Sequence, residues 1–410
     1  MSIEIMSPVG SYESLMAAIQ AGAGSVYFGI EQLNMRSRSA NNFTTDDLAN
    51  IVRICNEHGV KSYLTVNTII FDSDMHTLHT IMKTAKEHKV SAIIASDIAA
   101  IVCAREYGVE VHISTQLNIT NFQAVKFYAQ FADVVVLARE MTLPQVKQIS
   151  QAIKTHNVCG PSGKLVRIEM FVHGALCMSV SGKCYLSLHE QNYSANKGAC
   201  LQTCRKGYIV TEKESGNELE IDNEYIMSPK DLCTIGFLDE ILNAGVEVLK
   251  IEGRARSAEY VKTVTQCYHE AVEAIFDNTY NTHKIATWKT RLAKVFNRGF
   301  WNGYYLGQRL GEWSKNYGSE ATTRKMRVGK CTNFFSNLNV AEFLMQSGEL
   351  CTGDEILITG ATTGVVEHKV NEIRVDLQPV EKTVKGESFS MQVPVKIRRG
   401  DVLYKIVSTE

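Results

Sequence analysis

The sequence predicts an α/β protein: a (β/α)8, TIM-like barrel over residues 1–310, a cysteine-rich insertion after strand seven at about 174–246, and a small C-terminal antiparallel β-barrel over 325–410. Three observations predict it. A helical stretch, a glycine stop and a short β-branched or aromatic run recur through the first 250 residues. The seventh and eighth of these runs are separated by roughly 75 residues, far more than a βα connection needs. Beyond residue 325 the pattern changes to alternating strands divided by Gly, Asn and Asp. A chain of 410 residues suits one domain of roughly 250–330 residues and a smaller second one.

The eight strands read in order as IEIM (3–6), AGAGSVYFG (21–29), EHGVKSYLTVN (57–67), SAIIAS (91–96), EYGVEVHIS (106–114), DVVVLA (133–138), RIEMFV (167–172) and NAGVEVLKIEG (243–253). A doubly wound open sheet is the competing arrangement. Helix starts agree with the phase: Ser11 precedes YESLMAAIQ, and Thr44-x-x-Asp47 reads as a capping box before LANIVRICNEH. The tail offers VGKCTNFF, NVAEFLM, GDEILITG, EHKVNEIRV, FSMQVPV and DVLYKIV as strands.

Polar residues collect where the barrel strands end: Ser7, Asn67, Asp97, Ser114, Thr115, Gln116, Arg139, Glu140, His173, Glu252 and Arg254. In a barrel these carboxyl ends build the active site, so one crowded polar mouth is expected. Arg36 and Arg38, in the loop after strand two, are further candidates. Each residue also has a plain structural use. An Asn or Gln after a strand forms turns and caps, a histidine can be a hydrogen-bonded core residue, and Glu252 can simply pair with Arg254.

Five of the eleven cysteines lie in the insertion, as Cys177-x6-Cys184-x15-Cys200-x3-Cys204-x28-Cys233, among glycines and cations. One short Cys-x3-Cys pair suits structural zinc poorly, since zinc knuckles come in close pairs. Soft thiolates spread over several loops better suit an iron–sulfur cluster. Buried apolar cysteines or a redox disulfide are the plain alternatives. Cys55, Cys103 and Cys267 fall in apolar helical patterns and read as core; Cys159, Cys331 and Cys351 have no evident partner.

Composition narrows the partners. With 43 basic and 44 acidic residues the net charge is −1, so no global basic field holds nucleic acid or an anionic membrane. Any RNA contact must use local patches: Lys183, Lys197, Arg205 and Lys206 near the cysteines, or Arg324, Lys325, Arg327, Arg398 and Arg399 on the tail. No signal-like start and no apolar run of about 18 residues is present, which reads as a cytoplasmic protein with no membrane segment. Neither a Gly-x-Ser-x-Gly elbow nor a His-Glu-x-x-His helix occurs.

The segments MSPVGSYESLMAAIQAGAGSVYFG, LNMRSRSANNF, VNTIIFD, STQLNITN, VVLARE, EMFVHGALCMSVSGKCYLS, NKGACLQTCRKGY, SPKDLC, KIEGRARSAEYV and NRGFWNGYYLG together resemble the collagenase-like peptidase family of unknown catalytic type, U32. The resemblance spans nearly all of residues 3–310. It implies oxygen-independent hydroxylation more than proteolysis. One branch of the family converts the wobble uridine of tRNA to 5-hydroxyuridine with prephenate, another acts on 23S ribosomal RNA, and a third hydroxylates a ubiquinone precursor as a pair of proteins. It further implies a 4Fe-4S cluster held, by motif position, by Cys177, Cys184, Cys200 and Cys233; a related branch uses both cysteines of the Cys-x3-Cys pair, which would bring in Cys204. The expected function is therefore tRNA uridine hydroxylation, with tRNA and a small anionic co-substrate as partners and a protein partner as a further possibility. Peptidase activity, or a partner role in quinone or ribosomal RNA hydroxylation, is the alternative. The expected catalytic set is His173 for proton transfer, Glu252 second to it, and Arg254, Arg139, Asn67 and Gln116.

Overall fold

A computed structural model describes residues 3–37, 42–207, 210–211, 214, 218–219, 227–308, 311–315 and 318–409. Eight parallel strands close a barrel: β1 (Glu4–Pro8), β2 (Ser25–Phe28), β3 (Lys61–Val66), β4 (Ala92–Ala95), β5 (Val111–Ile113), β6 (Val134–Val136), β7 (Arg167–Ala175) and β8 (Val248–Ile251). Closure is direct: β8 pairs in parallel with β1, Glu4 opposite Val248, and with β7, Val248 opposite Glu169. The doubly wound alternative is thereby excluded.

Helices α1 (Tyr12–Gln20), α2 (Asp47–Glu57), α3 (Met75–Glu87), α4 (Ile98–Glu106), α5 (Phe122–Tyr128) and α6 (Leu143–Thr155) follow β1 to β6. Their starts are those the side chains specify. Ser11 caps α1 in a capping box with Ser14, and at α2 the Thr44 N–H and hydroxyl both donate to Asp47 while the Asp47 N–H donates back. Leu15, Ile51 and Leu78 present the apolar faces of these helices to the outside of the sheet and are fully buried, each contributing about 1.5–3 kcal/mol. Inside the barrel a separate layer of Met6, Tyr27, Tyr63, Ala92, Ile94, Val134 and Val248 fills the lumen.

Residues 176–247 form the seventh βα connection. It carries α7 (Leu186–Gln191), a short strand at Asp231–Cys233 and α8 (Leu238–Asn243). The short strand runs antiparallel to the end of β7, and Phe300–Trp301 pairs in parallel with its outer edge. Helix α9 (Ala258–Phe276) follows β8 and packs on α1, and α10 (Thr282–Lys294) packs on α9.

The tail is an eight-stranded antiparallel sheet with its own apolar core around Phe343, Phe389 and Leu403. Among the described residues its end strands, Gly364–Lys369 and Gln378–Val380, are not bonded to each other. The first of these edges meets the barrel domain. Gln20 of α1 donates to Thr363 O at 2.8 Å and accepts from Val365 N at 3.1 Å, while Leu357 and Val365 pack against Ala17 and Ala258. The edge is occupied by the barrel domain. Among the described residues no helix is long and apolar enough to cross a membrane.

Candidate active site

The carboxyl ends of the strands surround a cavity of about 170 Å³. Tyr27, Thr65, Phe171 and Lys250 form its floor, and the lid contributes Cys177, Cys200 and Cys204. Seven residues expected at the mouth line it: Asn67, Ser114, Thr115, Gln116, Arg139, Glu252 and Arg254, together with Arg36. Arg38 lies outside the described residues.

One wall is tied across strands. Asn67 Nδ2 donates to Gln116 Oε1 at 2.8 Å, Gln116 Nε2 returns a bond to Asn67 O at 2.6 Å, and Ser114 Oγ donates to the same Gln116 oxygen at 2.9 Å. Both amides are thus fixed in orientation. Opposite them, Glu252 accepts from the Tyr27 hydroxyl at 3.0 Å and faces Arg36 Nη2 at 3.4 Å. Arg254 does not pair with Glu252; its Nη1 donates to Thr65 Oγ1 at 2.9 Å. Arg139 lies 4.0 Å above the Phe171 ring.

The electrostatics favour an anion. Burial opposes ionisation of Glu252, yet Arg36, Arg139, Arg254 and the Tyr27 hydroxyl outweigh it and hold the carboxyl below its usual range. Burial pulls the Arg254 guanidinium down to about 10, with neighbouring Arg36 acting in the same direction. Among the described residues, Arg36 Nη1 and Arg139 Nε are buried with no hydrogen-bond partner. Unpaired buried donors of this kind are costly unless a ligand satisfies them. Lys250 does not add to the surplus, because Glu169 Oε1 is 2.7 Å from its Nζ.

His173 is elsewhere, which corrects its expected role. Alternation along β7 places Glu169 and Phe171 inward, so residue 173 should follow them. The register with β8 instead slips by one: Phe171 stands opposite Lys250, but His173 stands opposite Ile251. A bulge reverses which face a side chain meets. His173 therefore points outward among Tyr260, Tyr268 and Phe300, and burial holds its imidazole down at about 3. Gly174 sustains this turn with φ +102°, and a Cβ there would strike the Glu252 carbonyl.

The same slip moves Cys233. It is directly opposite His173 on the antiparallel strand, so it shares the outward face. It is buried beside Tyr268, and burial pushes its thiol up to about 11. Cys204 is in the cavity lining. Burial pushes the Cys204 thiol up to about 11, and the charges of Cys177, Cys200 and Cys184 all act on it in the same direction. Of the five lid cysteines, Cys177, Cys200 and Cys204 line the cavity, and Cys184 and Cys233 are not part of that lining. Among the described residues no three His, Cys, Asp or Glu side chains are placed to hold a metal ion. Thiolates are the donors that an iron–sulfur cluster takes, so the expected cluster stands on the donor chemistry of these cysteines.

Other expectations are absorbed by structure. Asp97 caps α4 and accepts from Ile70 N. Arg205 is a clamp inside the lid, donating to Leu176 O, Pro229 O and Ser228 Oγ. Lys197 pairs with Asp74, Lys206 with Glu190 and Lys325 with Glu259. Local acids neutralise these three cations. Cys55, Cys103 and Cys267 are buried core residues. Sequence reasoning missed Tyr27, Thr65, Phe171 and Lys250. Lys250 had a signal, since a lysine within the apolar run VLKI is anomalous unless it is paired or functional.

Fold and site together define a (β/α)8 barrel protein whose carboxyl-end cavity is cationic and roofed by a cysteine-bearing loop. The chain belongs to peptidase family U32, whose model matches residues 10–315. It is 62% identical over 407 residues to a protein named collagenase from Porphyromonas gingivalis (strain ATCC BAA-308 / W83), covering 99% of this chain and 98% of that one. It is 31% identical to tRNA hydroxylation protein P1 of Bacillus subtilis (strain 168), over 90% of this chain and 86% of that one. A 23S rRNA 5-hydroxycytidine synthase of Escherichia coli (strain K12) is 30% identical, over 76% of this chain and 46% of the other.

Proposed function

We propose that the protein is an RNA-modifying enzyme that hydroxylates the wobble uridine of tRNA to 5-hydroxyuridine, using a 4Fe-4S cluster and prephenate as co-substrate. The observation that carries this reading is that three lid cysteines and the unpaired donors of Arg36 and Arg139 belong to the lining of one cavity. Cys177, Cys184, Cys200 and Cys204 would hold the cluster, which when bound supplies one-electron chemistry. The chain's own residues do the rest. Arg36, Arg139 and Arg254 bind carboxylates through charge-assisted bonds. Ionised Glu252 holds Arg36 in place, and the Asn67–Gln116 pair presents a fixed amide wall. Among the described residues Glu252 is also the only carboxylate of the cavity lining, which makes it the group to accept a proton from bound substrate.

Relatives named for tRNA and ribosomal RNA hydroxylation support an RNA substrate. Mass spectrometry of tRNA from a deletion strain is the test. Loss of 5-hydroxyuridine derivatives is expected; unchanged levels, with no redundant enzyme present, overturn the reading. A second reading, peptidase activity, is favoured by the 62% identical protein named collagenase. Cleavage of collagen peptides by pure protein, abolished by Glu252→Gln, would establish it.

A further inference from the structure

A second cavity, of about 230 Å³, adjoins the first and is not used by the reading above. Arg139, Leu176, Cys177 and Ser181 line both cavities, so these residues form their common wall. The far side is aromatic: Trp301, Tyr304 and Trp313, with Met178 and Val180 contributed by the lid.

Two of these aromatic residues come from the NRGFWNGYYLG segment, and the fold holds that segment rigidly. Trp301 Nε1 donates to Lys230 O at 3.0 Å, so the indole's polar edge is already satisfied. Tyr304 meets the Trp301 ring edge-on, 5.2 Å between centroids. The next residue, Tyr305, donates through its hydroxyl to Phe171 O at 2.8 Å and accepts from Leu143 N at 2.9 Å. This ties the aromatic wall to β7, where Phe171 carries the guanidinium of Arg139.

We propose that this second cavity is a nucleobase subsite, which takes one flat base of an RNA strand beside the cysteine-lined cavity. The choice of RNA as the source rests on the hydroxylation reading; the choice of a heterocycle rests on the walls. Aromatic side chains recognise an unstacked base by its π-face. A base to be modified must leave its stack and enter a pocket of this kind. The common wall supplies the polar requirement. Arg139 Nε is a buried donor with no partner among the described residues, and a base with ring carbonyls, such as uracil, offers it an acceptor. An aliphatic chain or a hydrocarbon ring would bury against the three aromatic rings but leave the Arg139 donor unpaired.

Trp301 and Trp313 are two of the chain's three tryptophans; the third, Trp288, lies in α10 stacked on Tyr280. Intrinsic fluorescence of the full-length protein, purified anaerobically, therefore reports on the cavity without any need for turnover. Titration with uridine should quench it saturably. A labelled RNA hairpin with an unpaired uridine should bind about tenfold or more weakly to Trp313→Leu. Val180→Asp, at an exposed lid position that leaves folding intact, should weaken the hairpin similarly by placing a charge at the cavity. Hairpin affinity unchanged from the unsubstituted protein in both variants, or quenching by N-acetyltyrosinamide and not by uridine, overturns the subsite. The two proposals fail separately. Uridine binding here with unchanged tRNA in the deletion strain would retain the subsite and reject tRNA hydroxylation. Lost 5-hydroxyuridine without uridine quenching would do the reverse.

Discussion

Lys250 Nζ lies 2.7 Å from Glu169 Oε1 on the neighbouring strand, both side chains buried within the barrel, and Lys250 is also part of the cavity floor. The pair neutralises the one lysine of that floor. The cationic character of the site therefore comes from its arginines, which ring the mouth rather than its base.

Breaking that pair from one side leaves an uncompensated buried charge. Glu169→Gln or Lys250→Met should each cost about 3–5 kcal/mol, whereas Lys250→Met combined with Glu169→Leu should cost much less. Urea denaturation of the three variants measures this. Equal losses for the double and single variants would mean that the pair is not the source.

Glu4 sets an acid limit at the opposite end of the barrel. Burial opposes its ionisation, but bonds from Lys61 and Tyr63 and the charges of Lys61 and Arg167 prevail, holding its carboxyl at about 2 against an ordinary 4.5. The depressed folded value means that the stabilisation, about 3 kcal/mol, is complete above pH 4.5 and is lost as pH falls toward 2. Glu4→Gln should be less stable at pH 7 and show a shallower acid limb in pH-dependent denaturation.

His173 should remain neutral in the folded protein throughout the physiological range. Its imidazole is held at about 3 against an ordinary 6.5, so the unfolded chain takes up the proton first and stability declines as pH falls through that window. Proton-detected NMR of labelled histidine should show no titration of His173 above pH 4. A midpoint near 6.5 would contradict the outward, buried placement.

The cysteine grouping makes an opposed pair of predictions. In anaerobically purified protein, Cys204→Ala should lose the brown colour and the absorbance at about 400 nm typical of iron–sulfur proteins. Cys233→Ala should keep both while losing stability. The reverse pattern would return Cys233 to the ligand set.

Arg254→Gln should weaken binding of prephenate by about tenfold or more, the loss of one charge-assisted bond, with little change in folding temperature. Isothermal titration of the anaerobic protein reads the affinity. An unchanged affinity would mean that Arg254 serves only to hold Thr65.

The relation of sequence to site is clearest at β7. The run RIEMFV was legible as a strand because β-branched and aromatic residues follow one another without interruption, and its place as the seventh strand located the lid. The alternation inferred from it failed after Phe171, because a bulge is an agreement between two strands. Nothing local in FVHG says which residue β8 will skip. The positions of His173 and of Cys233 opposite it both follow from that single slip. Asn67, Gln116, Arg139, Glu252 and Arg254 all reached the cavity, Glu252 and Arg254 even though the β7–β8 register shifts at Lys250/Ile251 just before them.

By itself the sequence determined the barrel, the seventh-loop lid and the crowding of polar groups at one end, since these depend on hydrophobic period, glycine stops and strand count, all properties of short segments. Tertiary structure alone decided which face His173 and Cys233 meet, that Arg254 bonds Thr65 and not Glu252, that Lys250 is paired, and that NRGFWNGYYLG supplies an aromatic wall beside Cys177. Those outcomes depend on register between segments distant in the chain, where a shift of one residue exchanges lumen for exterior.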